Sequence, residues 1–437
     1  MGQTVTNFDK AFKIHYWDTR RKAAAETFFR SSVLMSRLRR EPVRIAGRHI
    51  EVPVHTARTR SGGPRSEGVA LPTATNQTPN VFQFTPISLY WPVQLTGQVM
   101  SQAAQDEDAF WKAVDFEVRN ADKDMRDDMN RQLYGDGSGA IGYCGASSVG
   151  ASTTVTLTDT SWLEAGMSIS FLDVAAGTLL QCGGATYIPT ISSVDHAAKT
   201  IVISHTVTSV VYARATTTGT VVLRPNTTDS ATAQAYLNSM WGLDLAIPTV
   251  AINGLGLGVA NTTYAGINRN AAASAGVFAQ ANTADGSGGV TEEQMMLWKD
   301  QVALRGGGKT SLIITSNEQW RGIGAELKKS SFWQNPVQSI QFGFNAIMWM
   351  GGDNRGGLPI VWDAHCPRDR MYLLDESTFY LGEMESLGWM SKDGQTWVCD
   401  RVTDVYKAMK VWRGNLICTN PKANMVVHSC KLGTPAF

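Results

Sequence analysis

Residues 98–134 run for thirty-seven positions without a glycine or a proline and then empty into the glycine-rich tail GDGSGAIG. Within that run Val99, Ala103, Phe110, Val114, Val118 (or Glu117), Ala121, Met125, Met129 and Leu133 recur mostly at three- and four-residue steps, which predicts one amphipathic helix. At about 1.5 Å per residue such a helix reaches roughly 55 Å, longer than a small domain is wide. Ser101 or Asp106 is placed to cap or recharge its start, and acids gather in the early turns, where they suit the helix dipole. Gly135 follows Tyr134 where a left-handed C′ residue is expected, so the helix should stop there. A long helix in an enzyme's second domain is the plainer reading, and the stripe drifts off the strict heptad that a coiled coil needs. With nine acids and five bases, the segment reads better as a girder on which neighbouring subunits lean.

The charge is unevenly spread. The chain of 437 residues carries a net charge of +1, so it has no overall nucleic-acid footprint. Residues 1–65 nevertheless hold fourteen bases and five acids, a local +9, whereas residues 98–134 hold nine acids and five bases, a local −4. A basic arm and an acidic girder in one chain fit subunits that grip each other. The six cysteines form no C-x-x-C pair and share no metal-ligand spacing with the histidines, which fits buried free thiols in a reducing cytoplasm. The polar N-terminus has no signal-peptide pattern, no apolar run approaches membrane length, and the N-x-T triplets at Asn76, Asn226 and Asn261 are read as accidental.

Along the chain, residues 18–40 read as a basic amphipathic helix with Phe28, Phe29, Val33, Leu34 and Leu38 on its apolar side, ended by Pro42. Such a helix can also lie on a membrane or on nucleic acid; a subunit or internal contact is favoured here. Residues 43–54 look like a hairpin turning near Ala46 and Gly47. The segment 58–78 is too polar to build a core of its own, and a loop of that length is usually functional. Residues 81–95 are strand-like, but Pro86 and Pro92 confine them to edge or broken strands. Residues 151–225 are short β-branched runs between turn residues, an all-β insertion of sandwich or barrel type. From Trp241 the chain is mixed, with helices expected at 291–304 and 318–329, a buried strand at 311–315, β-rich sequence at 358–381 and closing strands at 410–431. The class is therefore α+β.

Chemistry is hard to find. Gly306-Gly307-Gly308-Lys309-Thr310 invites a phosphate-loop reading, but Ala303 occupies the position of the required first glycine and the run leads from helix to strand, the reverse of that motif. Gly254, Gly256 and Gly258 lack dinucleotide spacing, Asp136 lacks the further acids of a calcium loop, and the histidines are scattered singly. No catalytic, cofactor-binding or metal-ligating residue is assigned, and no enzyme activity or cofactor is expected.

An ordered set of motifs points elsewhere. IEVPV leads into ARTRSGGPRSEGVALPTATNQ, and LTGQVMSQAAQDEDAFWKAVDFEVRNADKDMRDDMNRQLYGDGSG follows. Further on come INGLGLGV with YAGINRN, and LIITSNEQW. This series closely resembles the major capsid proteins of tailed bacteriophages, which share the Hong Kong 97 type fold; only residues 151–225 resemble it thinly. The resemblance implies an N-terminal arm at 1–42 and an extended loop at 43–80. It implies a peripheral domain at 81–140 with spine helix 98–134, a β-rich insertion domain at 141–228, an axial domain at 229–400, and C-terminal strands at 401–437 that close the two domains. The implied function is a self-assembling coat protein of an icosahedral head enclosing double-stranded DNA; the alternative is an encapsulin-like nanocompartment shell. The implied partners are further copies in pentamers and hexamers, a portal, a separate scaffolding protein, packaged DNA held non-specifically, and a decoration protein as a further candidate; no membrane is implied. The place is the virion, assembled in the host bacterial cytoplasm.

Two further expectations follow. Arg58, Arg60 and Arg65 are set against acids such as Asp115, Asp122 or Asp127 across a subunit boundary. No lysine lies between Lys22 and Lys112, so the extended loop has no amine for the lysine–asparagine crosslink of some family members. With only about forty residues before the loop, a fused scaffolding segment is not expected.

Overall fold

The computed structural model describes residues 33–43, 47–57, 62–70, 76–97, 107–146, 152–174, 176–183, 187–207, 211, 219–225, 237–248, 263–269, 274–287, 289–329, 337–339, 345–349, 357–391, 394–400 and 404–430, with residues 78, 107–117, 274–276, 327–329, 337–339, 345 and 400 described by backbone alone. Two large sheets dominate. Five strands form the first: Arg39–Pro42 lies parallel to Phe379–Trp389, which pairs antiparallel with Val405–Cys418; Val398–Asp400 and Ile87–Thr96 pair with that last strand. Pro92 sits in Ile87–Thr96 opposite Met409, and this strand pairs on one side only, as a proline demands.

The second sheet has seven strands in the order Asn282–Asp285, Met425–His428, Met371–Leu374, Leu312–Thr315, Leu358–Trp362, Asn345–Trp349, Val337–Ser339. Its strands alternate between two cores, because successive side chains leave opposite faces. Leu312, Ile314, Val361, Tyr372, Leu374 and Val426 enter one cluster, while Ile313, Ile360, Met371, Leu373, Met425 and Val427 enter another beneath helices Glu292–Gly306 and Asn317–Lys329. The first of these helices is capped by Thr291, whose side chain accepts from the Gln294 amide, and closes on Gly307 in the left-handed region. The glycine run is thus a helix stop, and a Cβ on Gly306 or Gly308 would collide with backbone at Lys422 or Ala423.

The long helix spans Glu107–Leu133; positions 98–106 lie outside the described residues. Ala121, Met125, Met129 and Leu133 are buried at four-residue steps. Its end differs from expectation. Gly135 is not left-handed; its amide bonds to Gln132 O, and the left-handed steps come later, at Gly137 and Gly139. The cause is a chain crossing. Gly242 passes so close to this terminus that a Cβ there would meet the carbonyl oxygens of Gln132, Leu133 and Gly135.

Two other expectations are corrected. Helix Val33–Arg37 gives way to a strand at Arg39, before Pro42, because residues 39–42 find an edge on the first sheet. Among the described residues the 43–54 hairpin is not found, its turn at 44–46 lying outside them: Ile50–Ala57 pairs with Thr78–Phe84 instead, as a wider hairpin. Every strand described between 152 and 223 belongs to a three-stranded sheet (Ser152–Thr156, Thr200–Val207, Ile191–Asp195) or a four-stranded one completed by Ala140–Tyr143. This β insertion has cores of its own, built on residues such as Ile169, Phe171, Ile201 and Val222.

Candidate functional site

Two surfaces recommended by the sequence can now be built, the extended hairpin and the long helix. Alternation fixes the hairpin's base: Ile50, Val54, Phe82 and Phe84 face the core, while Glu51, Pro53, His55, Val81 and Gln83 face out. Phe82 and Phe84 pack edge-on against Tyr264, at ring distances of 5.6 and 5.7 Å, and Phe84 also meets Trp241. The Arg269 guanidinium lies 4.6 Å over the Tyr264 ring and donates to the carbonyls of Leu245 and Ala246, so the anchor is rigid at its back. Every residue from 62 to 70 is exposed, Val69 included.

The helix is less of a free surface than its composition implied. Asp128 is buried and accepts from Arg131 (2.9 Å), Arg224 (2.5 Å) and Gln132 (2.6 Å). Burial opposes its charge, but the Arg224 and Arg131 guanidinium groups outweigh burial and hold the carboxyl below its ordinary value. Since Arg224 follows the last strand of the insertion, this pair also fastens the insertion to the helix. Gln132 in turn accepts from the Met240 amide and the Ser239 hydroxyl.

The proposed contact residues are not brought together within one chain. Arg58 and Arg60 lie outside the described residues, Arg65 is exposed on the hairpin, and Asp115 falls where only backbone is described. Asp122 accepts from Lys410, itself set 4.7 Å over the Trp389 ring. Asp127 stands 3.0 Å from His365 Nε2. Each of these two carboxylates keeps about a third of its side chain exposed, at 33% and 30%.

Sequence reading missed the cluster behind Asp127. Fully buried Asp363 accepts from the amides of Val33 (3.0 Å), Leu34 (3.2 Å) and His365 (2.9 Å), and from Asn130 Nδ2 (3.2 Å). His365, also fully buried, stacks 4.6 Å from Trp162 of the insertion. The only signal was the short D-x-H spacing in WDAHCP, too common to stand out. Burial opposes protonation of His365, yet the Asp127 and Asp363 carboxylates prevail and raise its pKa. Thiols behave as expected of core groups: burial pushes Cys144 and Cys418 up to about 12, and among the six cysteines only Cys399 is exposed. Among the described residues no cluster fit for a metal ion occurs, and no helix is long and apolar enough to cross a membrane.

No protein-family model and no curated protein matches the sequence. Solved structures do. The chain is similar to a chain of the cyanophage A-1(L) capsid asymmetric unit at 14% identity and a TM-score of 0.51, over 94% of this chain and 96% of that one. A second likeness is to the SrpI encapsulin complex of Synechococcus elongatus PCC 7942, at 10% identity and a TM-score of 0.43 over 96% and 98% of the two chains. A third is to the capsid of Myoviridae phage XM1, at 6% identity and 0.42 over 94% and 95%. Over most of its length the chain shares the fold of that cyanophage capsid chain.

Proposed function

We propose that this chain is the major capsid protein of a tailed phage, assembling in pentamers and hexamers into an icosahedral head around double-stranded DNA. The observation that carries the reading is the hairpin: a rigidly anchored arm whose described outer residues, 62–70, are all exposed, in a chain with a phage capsid fold. A stretch exposed along all of its described residues 62–70 gains order by packing on another molecule, and in a closed shell that molecule is the neighbouring copy. The arm would cross onto the next subunit's long helix, with Arg58, Arg60 and Arg65 reaching the acid face formed by Asp115, Asp122 and Asp127. Asp122 and Asp127 would then be shared with Lys410 and His365 of their own chain. Exposed ion pairs contribute only about 0–1 kcal/mol each. Charge therefore sets register, while strength comes from many interfaces engaged at once.

In this reading the domains follow the capsid plan: arm 1–42, extended loop 43–80, peripheral domain 81–140, insertion 141–228, axial domain 229–400 and closing strands 401–437. Portal, separate scaffold and packaged DNA are the partners, with a decoration protein as a further candidate. Assembly takes place in the host cytoplasm and the product is the virion, with no enzymatic role for the chain. Nuclease treatment of particles isolated from cells producing the chain tests this. Protected double-stranded DNA is expected; particles holding protein cargo and no DNA would move the assignment to a nanocompartment shell.

A further inference from the structure

Four separate parts of the chain meet at one buried polar cluster: helix Val33–Arg37, the long helix, the β insertion and the turn after strand Leu358–Trp362. The long helix contributes Asp127, Asn130 and, beside Asp363, the Tyr134 phenol. The turn after strand Leu358–Trp362 contributes Asp363 and the Cys366 thiol, the β-rich segment contributes the Trp162 ring, and the N-terminal helix contributes amides.

Asn130 is the pivot. Its Nδ2 donates toward His365 Nδ1 at 2.8 Å and to Asp363 Oδ1 at 3.2 Å, while its Oδ1 accepts from the Met35 amide at 3.4 Å. That arrangement requires an unprotonated Nδ1, with the ring proton on Nε2, whose nitrogen stands 3.0 Å from Asp127 Oδ1. A second proton on the ring would put two donors face to face at Asn130. Rotating the amide would set its Oδ1 against the Asp363 carboxylate, so the Nδ1 proton turns instead to Asp363 Oδ1, 3.4 Å away, and the Asn130 amide withdraws from the ring, which loosens its bond from the Met35 N–H.

We propose that His365 is a proton-sensing junction whose charge state is relayed by Asn130 to the N-terminal helix, so that protonation frees the Met35 amide while drawing Asp127 and Asp363 together. The device does not depend on the shell reading, since every group belongs to one chain. The flanking carboxylates place the transition above the ordinary histidine value of about 6.5. The sign is definite. A raised histidine pKa adds stability below pH about 6.5 that is lost as pH rises through the folded value. The local effect at Met35 runs the other way, with exchange faster at the acid end.

The test is amide hydrogen exchange over residues 33–38 of the full unassembled chain from pH 5.5 to 9, corrected for intrinsic exchange, alongside NMR titration of histidine-labelled protein. The expected result is a three- to tenfold fall in Met35 protection, about one net hydrogen bond, on the same midpoint as the His365 resonance. His365→Gln should abolish the step. Asp127→Asn, which leaves Asn130 untouched, should move the step to lower pH. A His365 resonance that does not titrate in this range, Met35 protection that is flat or rises on acidification, or a step that survives His365→Gln would overturn the proposal.

Discussion

Replacing Asp128 with Asn removes one charge from the place where the insertion is fastened to the long helix. The carboxylate lies between Arg131 and Arg224, which keep 13% and 37% of their side chains exposed. Leaving a fully buried cation unpaired costs about 3–5 kcal/mol. An exposed one costs about 0–1 kcal/mol. With one partner nearly buried and the other more than a third exposed, Asp128→Asn should cost about 2–3 kcal/mol, between those limits. Urea unfolding of the unassembled chain reads this as a lower midpoint at unchanged slope. Arg224→Gln in the same background should recover part of the loss, and the double-mutant cycle isolates the pair. Because Asp128 is held below its ordinary value, its contribution is present above pH about 3.9 and fades as pH falls through the folded value, so the variant and the parent should converge in acid. A variant within 0.5 kcal/mol of the parent at neutral pH, by the usual tolerance of a surface change, would refute the assignment of Asp128 as the fastening charge.

Three other outcomes are expected. Gly306→Ala should lower the thermal midpoint, at about 1–3 kcal/mol of overpacking, because the new Cβ meets the Lys422 carbonyl and neither backbone is free to yield. Reversing Arg58, Arg60 and Arg65 to Glu should leave the fold intact by circular dichroism but weaken assembly and flatten its salt dependence in light scattering. Particles boiled in SDS should run as single chains on gels, since the hairpin segment carries no lysine to form a covalent ladder.

Local patterns were legible in the sequence, and distant partners were not. The stripe through Ala121, Met125, Met129 and Leu133, the helix beginning after Thr291, the edge position of Pro92 and the β-rich run between 152 and 223 all follow from spacing or backbone chemistry within a few residues. The pairing of Ile50–Ala57 with Thr78–Phe84 was misread as a shorter hairpin, because register across a long polar loop is set by where Phe82 and Phe84 find a core. The end of the long helix was misassigned to a left-handed Gly135 because its close neighbour Gly242 is remote in sequence. The same distance hid Arg224, His365 and Lys410, each nearly a hundred residues or more from the acid it meets. A count of nine acids could suggest a binding face, but it could not tell that Asp128 is committed within the chain.

The exposed hairpin is what separates a shell subunit from an ordinary globular chain of the same topology, and cryo-electron microscopy of purified particles addresses it most directly. The expected result is closed icosahedral shells in which density for residues 62–70 lies on the neighbouring subunit, against its long helix near Asp122 and Asp127. Density for those residues folded back onto their own chain, or a chain that never leaves the monomeric state, would contradict it.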